Sequence, residues 1–573
     1  MSGQRVRVGA LAKLQADGHM LAKAGSQPVC VFWHEGCAYA VDDRCPHMGF
    51  PLHRGSVEHG LLTCHWHNAR FDLATGDTLD PFADDVRSYP VIVDGDDVFV
   101  VVEPTADRVV HLQHRLAEGL EQGLTLVIAK AVLGLVEAGV PSADIVRSGV
   151  DYGTTYRAQG WGSGLTVLVA MANLLPHLAD DDRALALVHG LSFVSRDTRN
   201  RPPRFPLAPL GAGTGQAAPS GDRLAGWYRR FIDTRSADAS ERTLATAIAS
   251  GLAEAEVHSM MVAATTDHVF IDEGHTLDFT NKAFEAVALL GWPAARQVLP
   301  TLVAQTAGAH RHEEDGAWRH PHDLVGLLAH TTLEYRDAPA HGFNDAATAA
   351  LAWALLGDEP QAVVTALVEA AQAGASPEQL GRSLALAAAL RITRFHTQND
   401  HGDWDVVHHA FTHANALHQR LTAHPTPELL RGVVAGALRV YLDRFLNIPA
   451  ARLPHATAHP LHELQACWDN QGHVDRAGEI AYGHLMTGGD PAELLAAIGH
   501  ALLAEDAEFH WIQTVDAAAR QFHAWPTGSK EGALILAGTA RFIAAHTPTR
   551  RELPHVVRIA TRLRRGDELF DAS

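Results

Sequence analysis

The sequence predicts a small antiparallel β domain followed by a large all-α domain, and three observations lead there. From Val6 to about Val102, short β-branched runs are separated by Gly and Asp. Beyond Glu103-Pro104-Thr105 the chain turns to long Ala/Leu-rich amphipathic stretches, with Pro and Gly mostly at the joints. At 573 residues the chain also exceeds what one ordinary core can organise, so two or more domains are expected.

In the β part the strand runs are Val29 to Trp33, Tyr39 to Val41, Tyr89 to Val93 and Val98 to Val102. Cys30 and Cys37 flank a turn at Glu35-Gly36 and read as strand residues, while Cys467 stands far away, so no disulfide framework is expected. In the helical part a linker is expected at Gly211 to Asp222, where Gly, Ala, Pro and Ser cluster. A faint internal repeat runs through the helices: Val136-Glu137-Ala138 matches Val368-Glu369-Ala370, and Gly251-Leu252-Ala253-Glu254 parallels Gly489-Asp490-Pro491-Ala492-Glu493. Ala-rich helices also resemble one another by composition, and tandem duplication is the other explanation. The expected domains are therefore residues 1–105, 106–350 and 351–573.

A formal net charge of −20 and the lack of a basic block argue against nucleic acid or an anionic membrane as partner, leaving a small molecule or a protein. The segment Met1-Ser2-Gly3-Gln4-Arg5-Val6 lacks the apolar core of a signal peptide, and no apolar span is long enough to cross a bilayer. A cytoplasmic location is expected.

Two cysteine-histidine pairs carry the strongest chemical signal: Cys45-Pro46-His47 and Cys64-His65-Trp66-His67. A [2Fe-2S] cluster with thiolates on one iron and imidazoles on the other needs each pair on its own loop, and the segment between His47 and Cys64 is long enough to provide two. Gly49 and Pro51 follow the first pair; Arg70-Phe71-Asp72 and Thr75-Gly76 follow the second. This segment resembles the Rieske iron-sulfur domain, in particular the Rieske ferredoxins and the N-terminal domains of Rieske oxygenases. The resemblance implies a [2Fe-2S] cluster held by Cys45, His47, Cys64 and His67. A Cys/His zinc site fits the bare ligand types as well, but the order of the ligands and their strand-rich setting favour the cluster. Respiratory Rieske proteins carry an extra cysteine in each loop and a serine after the second pair; here Phe50, Trp66 and Ala69 hold those positions. Fewer hydrogen bonds to the sulfurs imply a potential toward the lower end of the Rieske range.

Histidine is the second signal, with 37 in the chain and most of them in the helical part. Imidazole and carboxylate suit non-haem iron. His268, Asp272 and His275 are spaced to share one face of a helix, and the same spacing recurs at His401, Asp405 and His408, although the turn residues around His401 start that helix near Trp404. The spacing is similar to one helix of the haem-oxygenase-like diiron oxygenases. Asp405, His408 and His413 reproduce the Asp-x2-His-x4-His string of the Rieske oxygenase iron site, which in that family lies in a sheet-rich domain. Glu254 with His258, His330 with Glu334, and Asp506 with His510 form acid-histidine pairs one helical turn apart and read mainly as helix-stabilising.

The leading expectation is a Rieske oxidoreductase of oxygenase type. The cluster would take single electrons from a reductase or ferredoxin and deliver them to non-haem iron at His268, Asp272 and His275, with Asp405, His408 and His413 as the alternative ligands. A small-molecule substrate would lie in an apolar pocket between helices. The competing expectations are an electron carrier or redox sensor with a helical scaffold, and a haem held between two histidines.

Overall fold

The computed structural model describes residues 4–24, 27–102, 108–211, 219–336, 343–565, 567 and 569. The expected boundary at residues 103–105 and most of the expected linker, residues 212–218, lie outside them. The chain divides into two compact units, residues 1–145 with 552–573, and residues 146–551.

Among the described residues of the first unit ten strands form three antiparallel sheets. β1 (Gln4–Ala10), β10 (Asp97–Val102) and β9 (Val91–Asp94) make one sheet in the order β1-β10-β9. β2 (His19–Ala24), β3 (Gln27–His34), β4 (Cys37–Asp42) and β8 (Ser88–Tyr89) make the second in that order. The third is β5 (Ser56–Glu58), β6 (Leu61–Thr63) and β7 (Arg70–Asp72). Two-residue turns close the hairpins where the sequence supplies residues tolerant of positive φ: Glu35-Gly36 at 49° and 79°, and His59-Gly60 at 50° and 77°.

β3 shows why the domain has two cores. Its side chains alternate, so Val29 and Val31 join Leu14, Val98 and Val100 on one side, while Cys30 and Phe32 join Cys45, Leu62, Cys64 and Phe71 on the other. Cys30 pairs with Val41 and Cys37 with His34 across the β3-β4 hairpin, so the two thiols sit in different positions of the ladder and all five cysteines are free. Helices Arg108–Gln122, Thr125–Glu137 and Glu552–Arg565 belong to the same unit. The β domain expected to end near residue 105 is thus embedded in a larger body.

Among its described residues the second unit contains helices joined by irregular segments, and no strand. In helix Pro377–Thr393 every residue except Glu378 is buried; its Ala and Leu residues pack on several sides, and its buried Arg391 donates to the Val440 carbonyl at 3.0 Å. Its C-terminal carbonyls at Thr393 and Phe395 accept from Arg541 at 2.8 and 3.0 Å. The expected division at residue 350 falls inside helix Asp345–Ala354, and the expected first half is shared between the two units. Among the described residues no helix is long and apolar enough to cross a membrane.

A buried charge cluster ties helix His275–Leu290 to helix Phe509–His523. Lys282 donates to Glu285 at 2.9 Å and to Asp516, and Asn173 donates to Glu285 at 2.7 Å. Removing one member strands buried charge. Lys282→Met is expected to destabilise this unit by about 3–5 kcal/mol, read as a lower midpoint in urea unfolding. Arg319→Met, which breaks the exposed Arg319–Asp323 pair, should cost less than about 1 kcal/mol.

Candidate metal centre on two matched loops

The two predicted ligand pairs sit on loops built alike. In the first, the Cys45 amide donates to the Phe50 carbonyl at 2.8 Å and the Gly49 amide donates to the Cys45 carbonyl at 2.7 Å. In the second, the Cys64 amide donates to the Ala69 carbonyl at 2.8 Å and the Asn68 amide donates to the Cys64 carbonyl at 2.9 Å. Each loop turns through a left-handed residue at the same place, Gly49 at φ 82° and Asn68 at φ 60°, a conformation suited to Gly and Asn.

This geometry puts sulfur inside and imidazole outside. Cys45 and Cys64 are buried, His47 is half-buried and His67 is exposed. The two sulfurs are within hydrogen-bonding reach of each other, and backbone amides of His47 and Met48, and of Trp66 and His67, point at them. The hydrogen bond from Cys45 pulls the Cys64 thiol down to about 6, whereas the shared proton and burial push Cys45 up. Two adjacent thiolates repel, so both ionise only against a cation. The His47 and His67 rings meet edge-on at 4.8 Å, and Nδ1 of His47 is buried without a hydrogen-bond partner. Two thiols, two neighbouring imidazoles and an orphaned ring nitrogen fit a [2Fe-2S] cluster, and Cys45, Cys64, His47 and His67 would hold it. Phe50 and Trp66, at the positions of the respiratory disulfide, pack their rings 6.1 Å apart, so aromatic contact joins the two loops.

A third loop and two helices complete the surroundings, and these were not legible beforehand. Phe82 stacks edge-on against His47 at 5.0 Å. Lys130, on helix Thr125–Glu137, donates to the His47 carbonyl at 3.0 Å and to the Pro46 carbonyl, and pairs with Asp84 at 3.2 Å. Arg115 donates to Asp84 at 2.9 Å and to the Ala83 carbonyl at 2.9 Å. Burial, then the Lys130 and His67 charges, lower His47 to about 4, which keeps it neutral and able to ligate. Nothing in the local sequence marks Lys130 or Arg115, because their partners lie far away in the chain.

The second predicted metal set is corrected. His268, Asp272 and His275 do not share a helix face: helix Glu254–Thr266 ends before them, and the next begins at His275. Between them the backbone turns left-handed at Phe270, Asp272 and Glu273, which destroys helical spacing. His268 instead bonds Glu313 at 2.8 Å through Nδ1. The alternative set does not converge either. Asp405 pairs with Nδ1 of His510 at 3.1 Å, His408 bonds Thr514, and the His413 ring packs on Phe270 at 4.6 Å. Of all these residues, His275 alone enters a convergent group, joined by His409 and His510. Sequence had paired His510 with Asp506; the fold pairs it with Asp405.

The family model for the Rieske [2Fe-2S] domain matches residues 4–90. A Rieske domain-containing protein from Homo sapiens is 36% identical over 78 residues, covering 13% of this chain and 50% of its own length, so the match spans half of that relative. A 3-phenylpropionate/cinnamic acid dioxygenase ferredoxin subunit from Photorhabdus laumondii is 34% identical over 76 residues, 13% of this chain and 72% of the relative. Among solved structures, the ferredoxin of carbazole 1,9a-dioxygenase from Nocardioides aromaticivorans IC177 aligns at 28% identity over 18% of this chain and 99% of its own, with a TM-score of 0.17.

Two outcomes test the centre. Cys64→Ser should abolish the cluster's visible and paramagnetic signals while the far-ultraviolet helical spectrum persists. Lys130→Gln removes a positive charge beside His47 and leaves Asp84 less compensated, so the reduced state loses stability on the order of 1 kcal/mol. Voltammetry should then read a midpoint lower by roughly 40 mV. The matched loops, the ligand order and a relative 34% identical and covered over 72% of its length agree, and the chain belongs to the Rieske [2Fe-2S] family.

Proposed function

We propose that this chain is an oxidoreductase of oxygenase type, in which the Rieske centre takes single electrons from a reductase or ferredoxin and feeds a non-haem iron in the helical region. The observation that carries the reading is the outward edge formed by His47 and His67 over two buried thiols. The cluster supplies one-electron transfer, and this edge is where a donor would dock and electrons would cross. The likeness to a ferredoxin subunit of a dioxygenase supports the assignment. Oxygenation of a small molecule by one oxygen atom consumes one dioxygen, two electrons and two protons and returns one water, so an external two-electron reductant is required, which a nicotinamide-linked reductase would supply.

The substrate reading differs from the apolar pocket expected above. In the helical unit an open cavity of about 550 Å³ is lined by Phe193 and Phe509, by Arg196, Arg199 and Arg201, and by Asp197 and Glu508. Asp197 is already paired with Arg157 at 3.1 Å, and aromatic faces among the guanidinium groups that remain suit a polar aromatic compound carrying negative charge. Five free cysteines fit a reducing, cytoplasmic setting.

A second reading is a carrier whose helical region docks partners, favoured by the same ferredoxin relative. Metal analysis of anaerobically purified protein separates the two. About three irons per chain is the expected result, the cluster's two plus one. Only about two would establish the carrier and end the oxygenase reading.

A further inference from the structure

We infer that His275, His409 and His510 form a three-imidazole site for a divalent first-row transition ion, with Glu273 and Asp405 orienting the rings from behind. One ring nitrogen from each histidine lies within 4.8 Å of the others. Three separate segments bring them together: His275 opens helix His275–Leu290, His409 lies in the second turn of helix Asp403–Ala423, and His510 lies in the first turn of helix Phe509–His523.

The positions of the ring protons decide what the three rings can hold. Nδ1 of His409 faces the Glu273 carboxylate at 2.9 Å, and Nδ1 of His510 faces the Asp405 carboxylate at 3.1 Å. A carboxylate accepts, so each Nδ1 carries the hydrogen, and in the neutral tautomer each Nε2 is a bare lone pair. Those two Nε2 atoms are 3.3 Å apart. Two lone pairs at that separation repel unless a cation lies between them, and two nitrogens each about 2.0–2.1 Å from one ion are separated by about 3.0–3.4 Å. His275 has no hydrogen-bond partner among the described residues, and its ring lies 4.6 Å from His409 and 5.8 Å from His510, parallel to the latter within 2°. One bridging proton would satisfy two of the three rings, whereas a metal ion satisfies all three.

The surroundings match a built metal site. Histidine ligands held by carboxylates on the opposite ring nitrogen are the usual arrangement around bound metals, and two carboxylates balance a divalent charge. Glu273 reaches His409 only because Asp272 and Glu273 adopt φ of 52° and 53°, a strained pair held in place by the fold. His310, His312 and Asp315 offer the contrast within the same unit. There the carboxylate is itself a member of the group, accepting from His310 at 2.9 Å and from His312 at 2.5 Å, while Nε2 of His312 is buried without a hydrogen-bond partner.

This inference rests on the oxygenase reading only for the ion's role; binding follows from the geometry. The test uses the full chain with its cluster confirmed by visible spectrum, stripped of loosely held metal with a chelator and dialysed against Co²⁺ alone. About one Co²⁺ per chain is expected beyond the cluster iron. His409→Asn and His510→Asn should each weaken binding at least about tenfold, Glu273→Gln about 10–100-fold, and His312→Asn not at all. Unchanged helical spectra in all four variants exclude misfolding, and Glu273→Gln, which alters no ligand, serves if the histidine variants fail to fold. Co²⁺ binding equal in wild type and in the His275/His409/His510 triple Asn variant, or no binding in wild type, would overturn the site. The cluster spectrum and the native iron count report separately on the oxygenase reading.

Discussion

Two sulfur atoms pressed together in a water-poor core impose the constraint on which the Rieske segment depends. Cys45 and Cys64 belong to the same core as Phe32, Leu62 and Phe71, so neither thiolate can draw on water for stabilisation. Amides at the tips of the two loops face the sulfurs, and the pair shares one proton until a cation replaces it. The loops can hold this arrangement because each closes on itself, through equivalent hydrogen bonds and an equivalent left-handed residue. Burial of sulfur and exposure of imidazole then follow from a difference in loop position of two residues between Cys45 and His47 and three between Cys64 and His67.

The charges around the centre come from farther along the chain. Lys130 and Arg115 bracket Asp84, and Lys130 also holds the backbone carbonyls of the first ligand loop. Such contacts couple the redox centre to a helical layer that belongs to its own compact unit. The Lys130 cation beside His47 disfavours positive charge on that ring. In the helical unit carboxylates likewise stand against imidazoles, Glu273 against Nδ1 of His409 and Asp405 against Nδ1 of His510, where these two rings converge with His275.

Legibility in the sequence followed the range of the interaction. Cys45, His47, Cys64 and His67 could be read because ligand spacing within a loop is local, and the loop residues Gly49 and Arg70-Phe71-Asp72 lie beside them. The helical spacing of His268, Asp272 and His275 misled because it presumes an unbroken helix, and consecutive left-handed residues at Asp272 and Glu273 break it. No periodic pattern announces that break. Likewise His409 and His510 are 101 residues apart, and only the packing of their helices brings their rings into contact.

The sequence alone therefore determined the class of each part and the Rieske loops that carry Cys45, His47, Cys64 and His67, since strand alternation, helical periodicity and loop motifs are short-range properties of the chain. Tertiary structure decided which charges border the cluster and which histidines converge. Those choices depend on contacts between residues distant in sequence, such as Lys130 with Pro46 and Asp405 with His510, and no local pattern encodes them.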